Sequence, residues 1–272
     1  MNNMNEVWTR VVFNLLNSEN KANPRGFEIK EIINNHTVVD MNYPILTVLA
    51  RKLGYKFMLR ESWWIMDGRN SVETITDFSK AISSFSNDGF HFDGAYGPRV
   101  VDQIRYIVDC LEKDRDTRQA VLTIWRPNPR DSKDIPCTVS IQWLIRDNTI
   151  HCIDNMRSSD IWLGWPYDIF NFTMLTGYIM LLLRERGIDD LKLGNIYLNA
   201  GSQHLYSNNF EAAEKILTDR RSFNIDKFEP YKFKSPTHLK QYLKALSEND
   251  LDYLNKEDIK LWRNLHEKNI KK

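Results

Sequence analysis

Cys137 follows Pro136 and precedes an apolar, β-branched stretch at 138–146. A cysteine at a strand edge can face a cleft, and its thiolate is a strong nucleophile where cations or dipoles lower its pKa. A lone intracellular cysteine is more often an inert small hydrophobe, and Cys110 and Cys152, inside apolar-patterned stretches, read that way. The segment 155–169 changes the balance for Cys137. It crowds Arg157, Ser158, Asp160, Gly164, Pro166 and Asp168 between an expected strand and an expected helix, and connections between elements commonly carry sites. Arg157 beside Ser158 offers a bidentate cation and a hydroxyl, which together suit a phosphate. For Arg157 alone, a surface salt bridge is the plainer alternative.

Several elements must position these residues. Helical spacing over 5–17 places Val7, Val11, Phe13, Leu15 and Leu16 mostly on one side. Residues 23–26 read as a turn, 28–39 as strand, and 58–66 as a buried helix followed by a loop at 67–70. A helix is expected over 100–113 with Val101, Ile104, Ile107, Val108 and Leu111 inward. Strands are expected at 120–125, 138–146 and 150–156, the last two around an Asp147-Asn148 turn. A long apolar helix should run over 167–186 and end at Gly187. Residues 195–198 read as strand, with a helix from about His204. From about 239 onward, charge alternating with Leu and Tyr reads as a surface helix, and 240–272 as a C-terminal helical extension. The mixture predicts an α+β fold in a single domain spanning 1–272.

With 272 residues and 42% apolar residues, the chain can bury a sizeable core. A formal net charge of +1 gives no global drive toward DNA or a membrane surface. Three cysteines cannot all pair within one chain, and no Cys/His metal-ligand spacing appears, so no metal is expected. No secretory leader is read at the N-terminus, and the longest apolar run, near 174–183, is too short to span a bilayer. These features place the expected protein in the reducing cytoplasm.

Beyond these patterns, the residues resemble the thymidylate synthase family. The family's Pro-Cys nucleophile is matched by Pro136-Cys137, and its Arg-Ser-x-Asp-x-x-Leu-Gly-x-Pro-(Phe/Tyr)-Asn-Ile segment by residues 157–169 with one change. Gly201 to Tyr206 stands where the family has Gly-Asp-x-His-x-Tyr. Upstream, 61–70 is similar to Glu-x-x-Trp-x-x-x-Gly-x-Asn, 44–47 to Pro-Leu-Val-Thr, Tyr96-Gly97 to Tyr-Gly, and Arg25-Gly26 to a phosphate-binding loop. The matches run in order over roughly 5–210, and such collinearity is far more specific than any one motif.

The resemblance implies a large twisted mixed sheet flanked by helices, dimerising through that sheet. It implies a pyrimidine nucleoside monophosphate as substrate and 5,10-methylenetetrahydrofolate as co-substrate. Cys137 would add to C6 of the base and make C5 nucleophilic. Glu61 would handle protons through water, and Tyr96 would assist proton removal near C5. Arg25, Arg157 and Ser158 would hold the 5′-phosphate, joined by Arg118 from the partner subunit. His204 and Tyr206 would bind the sugar 3′-hydroxyl. Asp160 would contact the pterin, with Trp63 and Gly164 also on the folate side.

The departures from the pattern point further. Asp168 stands where thymidylate synthases have an Asn that reads uracil. An ionised carboxylate can accept from the cytosine amino group but cannot donate to O4, so Asp168 argues for cytosine, against the plain alternative of a helix cap. Ser202 and Asn199 also depart from the synthases, and 144–147 with 155–158 resembles the deoxycytidylate hydroxymethylases. Residues 84–94 lack the family's Trp, and the chain ends in charge; a less sealed site favours capture by water. Gln119 replaces a second Arg, so that phosphate contact is lost or is taken over by Arg115, Arg126 or Lys133. The expectation is C5 hydroxymethylation of dCMP or CMP, with dCMP preferred. Reductive methylation of dCMP or dUMP is the runner-up, and a non-catalytic nucleotide- or RNA-binding relative the third reading.

Overall fold

A computed structural model describes residues 3–129, 131–224 and 227–250. Helix α1 (Met4–Leu16) starts where the Asn3 side chain accepts from the Asn5 amide at 2.9 Å. It buries Met4, Val7, Trp8, Val11, Val12 and Leu15, the i, i+3, i+4 stripe that a core-facing helix requires. Then follow β1 (Lys21–Ala22), β2 (Ile29–Asp40), α2 (Tyr55–Met66), α3 (Glu73–Thr76) and α4 (Tyr96–Lys113). The second half holds β3 (Val121–Thr123), β4 (Thr138–Arg146), β5 (Thr149–Asp160), α5 (Trp165–Glu185), β6 (Lys192–Tyr206), α6 (Phe210–Thr218) and α7 (Pro236–Glu248).

The strands form one mixed six-stranded sheet in the order β1-β2-β6-β5-β4-β3, with helices packed against it, an α+β architecture. Among the described residues, β5 and β6 are the parallel neighbours and the other pairings are antiparallel. Helix α5 is the crossover that a parallel pair needs. It is apolar nearly all round, and Trp165, Phe170, Phe172, Met174 and Leu175 are buried between the sheet and the other helices. Each such side chain contributes on the order of 1.5–3 kcal/mol on leaving water. Gly187 ends this region at φ +87°, a conformation that glycine adopts without strain. No described helix is long and apolar enough to cross a membrane.

Four local expectations change. Residues 157–160 are strand rather than loop, because β5 continues alongside β6 with Ser158 opposite Ser202 and Asp160 opposite His204. The strand expected at 195–198 is β6, which runs on to Tyr206. Flanked by β2 and β5, its backbone groups find sheet partners there, and the next helix begins only at Phe210. On α4 the buried stripe runs through Gly97, Val100, Ile107, Val108 and Leu111; Val101 is 49% exposed and lies over Gly68. Helix α7 is no purely surface element, since Leu239, Tyr242, Leu243 and Leu246 are buried and it packs on α2. The rest of the expected C-terminal extension, 251–272, lies outside the described residues.

Candidate active site

Cys137 sits immediately before β4, where a bulge shifts the register between Thr138 and Ser140. Bulges re-aim side chains at such places. The Cys137 carbonyl accepts from the Arg157 amide at 2.9 Å, which ties Cys137 to β5. The Ser158 hydroxyl lies 3.6 Å from the Cys137 sulfur. Burial pushes the thiol up; Arg157, Ser158 and Arg25 pull it back down, while Asp168 pushes it up.

Arg157 organises the loop ahead of Cys137. Its Nε donates to the Pro136 carbonyl and its Nη2 to the Ile135 carbonyl, each at 2.9 Å, and Nη1 donates to Ser158 Oγ at 3.1 Å. A guanidinium carries about five N–H groups, so roughly two stay available for an anion.

Glu61 comes from the middle of α2. Burial raises its carboxyl to about 7, and a hydrogen bond from Asn171 opposes that rise. Tyr96 opens α4, with its ring parallel to Phe172 at a centroid distance of 6.2 Å. Its hydroxyl oxygen accepts from the Thr138 amide at 3.1 Å. Burial pushes the phenol well up, and the nearby Cys137 and Asp168 add to the effect. Asp168 lies in the first turn of α5, where the helix dipole favours an anion. Burial outweighs the dipole, and Glu61 and Asp160 push the same way, so its carboxyl is held well above the ordinary range. A Cβ on Gly164 would stand 3.3 Å from Asp168 Oδ2, so glycine leaves room for that carboxyl.

Asp160 ends β5. Its Oδ1 accepts from the Trp162 and Leu163 amides at 2.8 and 3.2 Å, whereas Oδ2 is buried without a partner. Burial raises this carboxyl. His204, 8% exposed on β6, meets the Tyr206 ring edge-on at 5.1 Å. The Arg25 guanidinium reaches Tyr206 Oη at 3.5 Å from a left-handed backbone position, φ +55°.

Electrostatic coupling and direct contact therefore join Cys137, Glu61, Tyr96, Asp168, Arg157, Ser158, Asp160, His204, Tyr206 and Arg25 in one neighbourhood. Two named residues lack such a link to this set: Trp63, and Arg118, which is expected in the partner's site rather than in this one. Arg118 is exposed, and its carbonyl accepts from Gln142. Trp63 is buried under Arg60, Arg69 and Lys244, at 4.1, 5.6 and 5.7 Å from its ring, so its indole face is taken by cations. Arg115, a possible substitute for the missing second Arg, is tied to Asp190.

Sequence reasoning missed Asn171, Ser62 and Arg51. Asn171 lies three residues after Asp168 on α5, so helical spacing alone could have placed it on the same face. Arg51 donates to the Trp162 carbonyl through Nε at 2.9 Å and Nη2 at 2.6 Å, bracing the turn that follows Asp160. No sequence pattern marked it. Among the described residues no cluster of three or more His, Cys, Asp or Glu could hold a metal.

Comparison with known proteins adds independent findings. The family model described as thymidylate synthase matches residues 6–271. Over 218 residues the chain is 29% identical to the deoxyuridylate hydroxymethyltransferase of Bacillus phage SP01, an alignment covering 72% of this chain and 55% of that protein. The chain thus spans about half the length of the phage protein. Over 241 residues it is 23% identical to the thymidylate synthase of Buchnera aphidicola subsp. Baizongia pistaciae, covering 84% of this chain and 88% of that one.

Proposed function

This chain belongs to the thymidylate synthase family of folate-dependent one-carbon transferases, and on that footing we propose that it hydroxymethylates C5 of a cytosine nucleotide. The observation that carries the reading is the meeting of Cys137, Tyr96, Glu61 and Asp168, each coupled electrostatically to another of the set. Cys137 adds to C6 of the base, splitting one difficult step into easier ones. Glu61, held at about 7, can both take and give protons near neutrality. Tyr96 sits beside the sulfur to assist proton removal at C5. Arg25, Arg157 and Ser158 hold the phosphate, and His204 and Tyr206 the sugar. The retained Arg157-Ser158 pair favours dCMP over CMP.

The family's co-substrate, 5,10-methylenetetrahydrofolate, supplies an electrophilic one-carbon unit. The unpartnered Asp160 Oδ2 fits this role, since it is a buried acceptor lacking an N–H donor such as a pterin carries. Gly164 keeps the adjoining wall low. Water as the final nucleophile is supported by the absence of Trp from 84–94. Dimerisation through the sheet, with Arg118 completing the partner's phosphate site, is part of the same proposal; Ile33, 68% exposed on β2, fits such a covered face.

Asp168 is the base reader. As a neutral acid it donates O–H to N3 of cytosine and accepts from the N4 amino group. Ionised, it accepts from N4 and from a protonated N3. A second reading, deoxyuridylate as substrate, is favoured by one observation. A neutral acid can equally accept from N3–H of uracil and donate to O4, and the phage relative is named for deoxyuridylate.

The test is product mass after incubation with methylenetetrahydrofolate and, separately, dCMP, CMP or dUMP. Gain of CH2O on a cytosine nucleotide, with tetrahydrofolate left unoxidised, is the expected result. The same gain on dUMP alone supports the second reading. Gain of CH2 with dihydrofolate formed means a methylating enzyme and overturns both.

A further inference from the structure

Asp154 is fully buried on β5, and neither carboxyl oxygen has a hydrogen-bond partner. It occupies the inward row with Ile150, Cys152 and Met156, opposite Ile141 on β4 and Leu198 on β6. An aliphatic residue is what that environment demands. Thr138, on β4 directly after the nucleophile, is also fully buried, and its Oγ1 is likewise without a partner. The two side chains are neighbours: the Thr138 hydroxyl comes close enough to favour the charged form of Asp154 as a donor would, yet falls short of full hydrogen-bond geometry. Three orphaned polar atoms thus share one place under the site. Each is costly if left unsatisfied, and one internal water typically makes about three hydrogen bonds.

What Thr138 touches gives the place its meaning. Its amide donates to the Tyr96 hydroxyl at 3.1 Å, and the preceding residue is Cys137. Whatever fixes Thr138 fixes both groups. We propose that Asp154 is a positioning residue of this site: together with Thr138 Oγ1 it holds an internal water, and that buried polar well sets the Cys137–Thr138 backbone and, through it, the Tyr96 hydroxyl. The inference rests on the reading of Cys137 and Tyr96 given above. Burial, with Asp168 nearby, pushes the Asp154 carboxyl well up and favours the neutral acid, which has one O–H to give and an oxygen to accept. Asparagine has the same shape and the same two capacities; leucine has neither.

The experiment compares the full-length protein with Asp154→Asn, Asp154→Leu and Thr138→Val. It uses crystal structures, kcat and KM for the nucleotide that the wild type turns over, and the rate of Cys137 alkylation by iodoacetamide, followed by peptide mass. A water bonded to Thr138 and residue 154 is expected in the wild type and in Asp154→Asn, and none in Asp154→Leu. Displacing a reacting group from remote positions costs roughly tenfold to a hundredfold. A kcat loss in that range, with KM nearly unchanged and an altered alkylation rate, is expected for Asp154→Leu and Thr138→Val, with Asp154→Asn near wild type. Thr138→Val is nearly isosteric and tests the idea even if Asp154→Leu fails to fold. A direct Thr138–Asp154 hydrogen bond with no water, or wild-type kcat and alkylation in Asp154→Leu or Thr138→Val, overturns the proposal. Loss of the functional reading would show differently: a wild type that turns over no nucleotide, while the structures and alkylation rates still report on the water.

Discussion

Asn171 Nδ2 donates to Glu61 Oε2 at 2.8 Å, joining α5 to α2 across the site. Ser62 Oγ donates to Asn171 Oδ1 at 2.5 Å, so the residue after Glu61 orients the amide that holds it. The bond stabilises the charged carboxylate and restrains a pKa that burial drives upward. Asn171→Leu removes the restraint. The limb of the pH–kcat profile near 7 is expected to move to higher pH; a limb that stays put would separate it from Glu61.

Glu61 also leaves a mark on stability. Its carboxyl sits at about 7 in the fold against an ordinary 4.5. Between those values the folded state keeps a proton that the unfolded chain has released, so stability falls as pH rises through the window. Glu61→Gln lacks this penalty. Urea midpoints should show the variant more stable than wild type at about pH 8, by a few kcal/mol, and the two nearly equal at about pH 4. Its kcat should fall by roughly a hundredfold to ten-thousandfold.

Base selection is expected to reside in Asp168. Asp168→Asn supplies a fixed donor and acceptor that match uracil and leave cytosine badly paired. The ratio of kcat/KM for dCMP over dUMP should drop at least about a hundredfold. An unchanged ratio would move the base reading elsewhere.

Arg157 does two jobs, bracing the Ile135 and Pro136 carbonyls and lowering the Cys137 pKa. Arg157→Gln removes the charge and the planar fork. KM for the nucleotide should rise roughly tenfold or more. Alkylation of Cys137 at fixed pH should slow, because less thiolate is present. Equal alkylation rates would show that the guanidinium leaves the thiol unaffected.

Motif residues were legible in the sequence because their chemistry restricts their identity: Pro136-Cys137, Arg157-Ser158 and the 160–168 run stand out by type. Strand lengths were not. Arg, Ser, Asp, Gly and His look like loop, yet 157–160 and 201–206 are the ends of β5 and β6. Their pairing is with distant segments, and local propensity does not see a partner. Val101 was misplaced for the same kind of reason: apolar spacing fixes a stripe only to within one residue, and the turn at Gly68 decides which neighbour faces out. Asp154 was visible as the polar member of an alternating strand, but only the packed sheet shows that both its oxygens are sealed from water.

The pairing of β2 with β6 has a consequence for synthesis. Ile29 through Asp40 finds its long antiparallel partner in Tyr206 back to Asn195. At ribosomal speeds of about 5–20 residues per second, β2 waits roughly ten to thirty seconds as nascent chain before β6 emerges. In that interval it offers an open edge. Asn34 and Asn35 interrupt its Ile and Val run, and Asn34 takes φ +54°, which makes the waiting strand a poorer template for aggregation. His204 and Tyr206 arrive on that same late strand, so under the proposed function no nascent chain would grip a nucleotide until the sheet's central strand has left the ribosome.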